Sequence, residues 1–137
     1  MTMDGVRNIQ AEFGRIHEHW SPRVIAAAND QFVKLAKVQG EFVWHDHAHE
    51  DEVFVVFRGR LTLRFRDRPS VTLGEGDLYV VPRGVEHCPV AEDECWVMLL
   101  EPAQTKHTGS VETPMTKSID EQVAAGAAGG ITLGSGS

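Results

Sequence analysis

Cysteine is scarce. Cys88 and Cys95 are the only two in 137 residues, too few for a disulfide framework, and they read as reduced, packed thiols. Long apolar runs are missing too. No stretch of 18 apolar residues exists, which excludes a membrane-spanning helix. The first residues hold no apolar run long enough for a signal-peptide core, so a cytoplasmic protein is expected. A basic excess is also absent, with 13 Lys and Arg against 20 Asp and Glu and a net charge of −7. Nucleic acid and anionic membranes need a basic surface, so neither is an expected partner. What is present suffices for one core: 42% of the residues are hydrophobic and 24% charged, an ordinary balance for a single domain.

Along the chain, Val6, Ile9, Phe13, Ile16 and Trp20 recur at steps of three and four, which predicts an amphipathic helix packed on the rest of the protein. Ser21-Pro22 ends it, giving an N-terminal helical unit over 1–22. From 23 to 101 the pattern changes to short strands. The clear ones are 31–38, 42–45, 52–57, 61–66, 78–81 and 95–101, separated by breakers such as Asn29-Asp30, Gly59 and Gly74-Glu75-Gly76-Asp77. Many short strands without intervening helices predict an all-β sandwich or barrel. The segment 52–57 is apolar on both faces, so its outer side needs cover from the N-terminal helix or from a second copy of the chain. A homodimer is the expectation. Residues 102–137 form a looser extension. Ser118 and Glu121 there have the form of a capping box ahead of an alanine-rich segment, and a flexible Gly-Ser-Gly-Ser tail follows.

Chemistry concentrates in Trp44-His45-Asp46-His47-Ala48-His49, with Glu52 close behind. On a strand, residues two apart share a face, so His45 and His47 present two imidazoles together. A turn then brings Glu52 in from a neighbouring strand. Two imidazoles and a carboxylate on a rigid sheet suit Fe(II), Mn(II), Ni(II) or Zn(II). Thiolates are absent from the cluster, which disfavours a structural zinc knuckle. A fourth nitrogen, His87, follows the turn Pro82-Arg83-Gly84.

These residues resemble the two motifs of the cupin superfamily. In the first, Gly-x5-His-x-His-x3,4-Glu-x6-Gly, His45, His47, Glu52 and Gly59 fit. In the second, Gly-x5-Pro-x-Gly-x2-His-x3-Asn, Gly76, Pro82, Gly84 and His87 fit. Sixteen residues separate Gly59 from Gly76, a short spacing that is similar to small bacterial single-domain cupins. Two departures stand out. Gly40 is separated from His45 by four residues where the pattern has five, and Ala91 occupies the Asn position. The resemblance implies a small jelly-roll barrel holding one divalent transition metal (Fe, Mn, Ni or Zn) through His45, His47, Glu52 and His87. His49 falls outside the motif spacing and belongs to the rim.

What the resemblance implies for function is a metal-dependent enzyme of dioxygenase, isomerase, epimerase or lyase type, acting on a small oxygenated or anionic molecule. The other class is a non-catalytic small-molecule-binding or sensing cupin. Of the arginines, Arg64 and Arg66 lie on a wet face and Arg83 stands beside the ligand-bearing turn, where it is placed to hold a carboxylate. Trp44, Tyr79 and Trp96 either line a pocket or belong to core or interface. No general base is identified from the pattern.

Overall fold

Short β-rich segments separated by glycine and proline turns leave the chain few helical options, and the computed structural model, which describes residues 5–130, shows this. In chain order it places α1 (Ile9–Phe13), β1 (Arg23–Ala28), β2 (Gln31–Glu41), β3 (Glu52–Arg58), β4 (Leu61–Phe65), β5 (Val71–Leu73), β6 (Leu78–Val81), β7 (His87–Pro102) and α2 (Ile119–Gly130). The strands are ordered β1-β2-β7-β3-β6, and β4 pairs with both β5 and β7. All pairs are antiparallel. Strand β7 holds this jelly roll together. Its second half lies between β2 and β3, and its first half, from His87 to Val90, pairs with β4. Among the described residues no helix is long and apolar enough to cross a membrane.

Strand parity sorts the side chains. Inside the barrel, Ala36 and Val38 of β2, Phe54 and Val56 of β3, and Val97 and Leu99 of β7 share one core. On the outer side of the same sheet, Leu35 and Ile25 pack with Phe13 and Ile16 in a second cluster. Both cysteines are free and buried, and burial pushes the Cys95 thiol up to about 12.

The N-terminal helix is shorter than its apolar pattern predicts. Asn8 caps it by accepting from the Ala11 N–H at 2.8 Å, and Gly14 stops it after five residues. A glycine inside a helix costs about 1 kcal/mol relative to alanine. Beyond it the chain tightens to three-residue hydrogen bonds (Arg15 to Glu12, Ile16 to Phe13) and then pairs with β2 through His19 and Lys37. Of the predicted apolar face, Phe13 and Ile16 are buried while Val6 is 96% exposed. Trp20 leaves that face and packs against the barrel core.

Four other segments differ from expectation. Residues 42–45 form no strand and contribute only an isolated bridge between His45 and His87. Strand β1 is alanine-rich and β5 has three residues, so neither carries a readable alternation. Strand β7 runs through Pro89 and the exposed acidic residues 92–94, which read as interruptions in the sequence.

On the outer face of β3, the N-terminal helix reaches one end only, where Phe13 meets Phe57 at 5.6 Å between ring centroids. Leu78 and Val80 of β6 and Leu100 of β7 remain exposed beside it. Residues 103–118 then run from Asp30, which accepts the Ala103 N–H, past Asp46, which Gly109 approaches, and α2 packs on β1. The capping box forms as expected: Glu121 N–H donates to Ser118 Oγ at 3.0 Å and Ser118 N–H to Glu121 Oε1 at 2.8 Å. A Cβ at Gly126 would collide with the Val24 backbone, so glycine permits this close approach. The predicted Gly-Ser-Gly-Ser tail lies outside the described residues.

Candidate metal centre

His45 and His87 meet across the isolated bridge, each backbone N–H donating to the other's carbonyl at 3.0 and 2.9 Å. Each imidazole also lies 2.9 Å from a nearby carbonyl through Nδ1, His45 to Val43 and His87 to Val85. A carbonyl only accepts, so both Nδ1 atoms carry a proton, and both Nε2 atoms are the ones left to face the cluster. Donation from the distal nitrogen also orients a ligating histidine and raises its basicity.

His47 is held from the second motif, since Gly84 N–H donates to its carbonyl at 2.8 Å. Its Nε2 lies 3.2 Å from Glu52 Oε1, and His87 Nε2 lies 3.5 Å from the same oxygen. One ligand atom from each of His45, His47, Glu52 and His87 falls within 4.8 Å of the others, and all four residues are buried. His47 Nε2, Glu52 Oε1 and His87 Nε2 have no hydrogen-bond partner despite their burial. Converging, buried, unpartnered polar atoms are costly unless something satisfies them together. Three imidazole nitrogens and one carboxylate fit a divalent transition ion.

The charges of the metal-free site follow from the same contacts. Burial, then the neighbouring His87, pushes His45 down to about 3. Burial works against a charged His47 as well, but the Glu52 carboxylate outweighs it and raises His47 above its ordinary value. Burial alone would raise Glu52; His47 and His87 hold it well below the usual carboxylate range. In the metal-free site, then, the Glu52 carboxylate favours a proton on His47 while His45 stays neutral.

Three further groups, absent from the sequence expectations, surround this cluster. Lys34 Nζ lies 3.0 Å from Glu101 Oε1, and both side chains are 0% exposed. Burial and the nearby Glu52 push Glu101 well above the usual carboxylate range, against the pull of Lys34. The third group is His107, which stacks on Phe42 at 5.6 Å and accepts the Lys117 N–H through Nε2 at 2.7 Å. Parity could have flagged two of them, because Lys34 lies in step with Ala36 and Val38 and Glu101 with Val97 and Leu99. Nothing local flags His107.

A cavity of about 40 Å³ adjoins the cluster, with room for a few waters. Its lining is apolar, with Trp20, Phe42 and Phe54 among it, except for His45, Glu52 and His107. The other sequence candidates lie elsewhere. Arg83 is exposed and its guanidinium stands 4.0 Å from Asp51. Arg66 covers the Trp44 ring, Trp96 stacks on Phe13 outside the barrel, and Tyr79 packs near Phe65. His49 is exposed and outside the cluster, as its spacing implied.

The extension beyond Glu101 is anchored to the ligand-bearing segment itself. Gly109 has φ +62°, and a Cβ there would collide with the Asp46 carbonyl between His45 and His47. Gly109→Ala is expected to destabilise the protein by about 2 kcal/mol, combining left-handed strain with loss of this contact. Urea denaturation of the metal-free protein checks it, and a loss below about 0.5 kcal/mol would contradict the contact's importance.

Comparison with known proteins agrees with this geometry. The Cupin domain family matches residues 31–101. An uncharacterized protein of Bacillus subtilis, YdbB, is 33% identical over 85 residues, covering 62% of this chain and 75% of its own. A cupin-2 domain containing protein from Shewanella frigidimarina is 54% identical with a TM-score of 0.68, covering 71% of this chain and 94% of that one. Protein NMB1881 from Neisseria meningitidis is 31% identical with a TM-score of 0.67, covering 72% and 99%. With both motifs folded onto one jelly roll and the family matched over most of the barrel, this chain belongs to the cupins.

Proposed function

We propose that this cupin binds one divalent transition metal through His45, His47, Glu52 and His87 and acts as a metal-dependent enzyme on a small oxygenated or anionic molecule. The observation that carries the reading is the set of buried, unpartnered ligand atoms converging beside a cavity. When bound, the ion supplies Lewis acidity or, if it is iron, redox chemistry. One carboxylate against a divalent ion leaves a local positive charge, which favours an anionic or oxygen-rich ligand; at roughly 4 Å and an effective dielectric near 20, a carboxylate gains about 4 kcal/mol. The chain's own groups bind and orient. His45 and His87 are fixed by their Nδ1 hydrogen bonds, and the apolar lining excludes bulk water.

Elemental mass spectrometry on tag-free protein, purified without added metal, tests this reading. About one equivalent of iron, manganese, nickel or zinc is expected per chain, and iron would direct oxygen-consumption assays. Protein without metal that takes up none on titration would refute metal dependence and leave a ligand-binding barrel.

Metal affinity is expected to fall with acidity. His47, raised in the folded metal-free protein, holds a proton below pH 6.5, and a metal must displace it. His47 therefore contributes roughly a tenfold loss of affinity per pH unit between pH 6.5 and 5. His45, held down at about 3, contributes none in that window. The proton on His47 stabilises the metal-free fold below pH 6.5, and that contribution disappears as pH rises through its raised value. Glu52 behaves oppositely: its contribution is present above about pH 4.5 and disappears as pH falls through its depressed value. Metal titrations at several pH values measure the slope. Affinity unchanged from pH 8 to 5 would contradict ligation by His47.

A further inference from the structure

We propose that His107 is the protein's hydrogen-bond donor to the molecule in the cavity, offering Nδ1–H to an oxygen of a small ligand with a largely apolar body. The inference rests on the metal reading above, and it concerns a residue outside the 31–101 cupin match.

The proton's position follows from geometry. A peptide N–H only donates, so His107 Nε2, which receives Lys117 N–H at 2.7 Å, is bare. The ring is neutral at physiological pH, since burial and Lys34 push it down to about 4. A neutral imidazole with a bare Nε2 carries its proton on Nδ1. No hydrogen bond from the described residues engages that Nδ1. The ring is 5% exposed and lines the same cavity as His45 and Glu52. Apart from those two cluster residues, His107 is the cavity's one polar side chain among the described residues.

Its position is also built. Phe42 has His107 stacked on its ring and His45 at its edge, each with 5.6 Å between centroids. The segment bearing it is tied internally, Thr108 Oγ1 donating to Val111 O at 2.7 Å, and docks through Gly109 onto Asp46. A donor held this way is preorganised, so it loses little freedom when an acceptor arrives. The apolar walls set the rest of the ligand's chemistry: an uncharged, compact body with its oxygens gathered at the His107 and cluster end.

The test must separate a donor from a histidine that merely accepts Lys117 N–H. His107→Gln keeps an acceptor near the Nε2 position and removes the Nδ1 donor; His107→Asn keeps an N–H near the Nδ1 position. Both are loaded with Co(II) and titrated with acetohydroxamate, whose two oxygens and methyl group match the class, while the cobalt visible bands are followed. His107→Gln is expected to weaken acetohydroxamate binding about tenfold or more with Co(II) affinity unchanged, and His107→Asn to stay within about threefold of wild type. Equal binding by His107→Gln and wild type, or equal loss in both variants, would overturn the donor role. So would a wild-type Co(II) protein that shows no response to acetohydroxamate. Failure of wild type to take up Co(II) would instead bring down the metal reading, and this inference with it. Independently of metal, nitrogen NMR of the metal-free protein should show His107 protonated at Nδ1, and a proton at Nε2 would overturn the assignment.

Discussion

Glu52→Gln is expected to weaken divalent-metal binding by roughly two orders of magnitude, and His87→Ala by a similar factor. Four-ligand zinc sites deliver about 10–16 kcal/mol in all, so one ligand accounts for about 3 kcal/mol, close to a hundredfold in Kd. Glu52 is the cluster's anion, and Gln keeps its shape while removing the charge. His87→Ala instead removes a nitrogen aimed at Glu52, and the backbone bridge to His45 survives substitution. Metal content and Co(II) titration of both variants check the effect, with circular dichroism confirming the fold. The two differ when metal-free. Without the Glu52 carboxylate only the weaker pull of Glu50 offsets the burial of a charged His47, so its raised value falls in Glu52→Gln and the proton competition expected of wild type weakens. A Glu52→Gln protein that binds metal as tightly as wild type would remove the carboxylate from the ligand set.

The convergence of the four clustered residues was legible because strands and tight turns impose the spacing that brings those side chains together. His45 and His47 read correctly as a pair even though their segment is not a strand, because the bridge to His87 keeps that stretch extended. The strand expected over 61–66 became β4, Leu61–Phe65, with Leu61, Leu63 and Phe65 buried. Elements whose form depends on distant partners were not legible. Trp20 completes a helical apolar pattern, yet hydrogen bonding to Lys37 O turns it into the barrel. His107 has no periodic neighbour and no motif; its place depends on Gly109 meeting Asp46, a contact between distant parts of the chain. Arg83 read as a ligand anchor by sequence proximity alone, but its side chain points to solvent and Asp51.

Lys34→Met is expected to cost about 3–5 kcal/mol of stability in the metal-free protein, whereas Glu101→Gln costs about 1 kcal/mol or less. The asymmetry comes from which of the pair carries an indispensable charge. Register places Lys34 opposite Leu99 and Phe32 opposite Glu101, so lysine and glutamate meet diagonally across β2 and β7 inside the barrel. Both are fully buried, and Glu52 lies near enough to push Glu101 upward. A carboxyl pushed that way favours its proton, and glutamine reproduces the protonated form. Lysine has no such substitute. Removing it leaves any charge on Glu101 without its buried counter-ion and the Thr105 carbonyl without its donor, and a lone buried charge costs far more than a missing pair. The double change Lys34→Met with Glu101→Leu should then recover much of the loss, since both polar groups leave together. Urea denaturation of the three metal-free variants at pH 7 checks the order. If Glu101→Gln were as damaging as Lys34→Met, Glu101 would be an ionised partner of Lys34 in its own right.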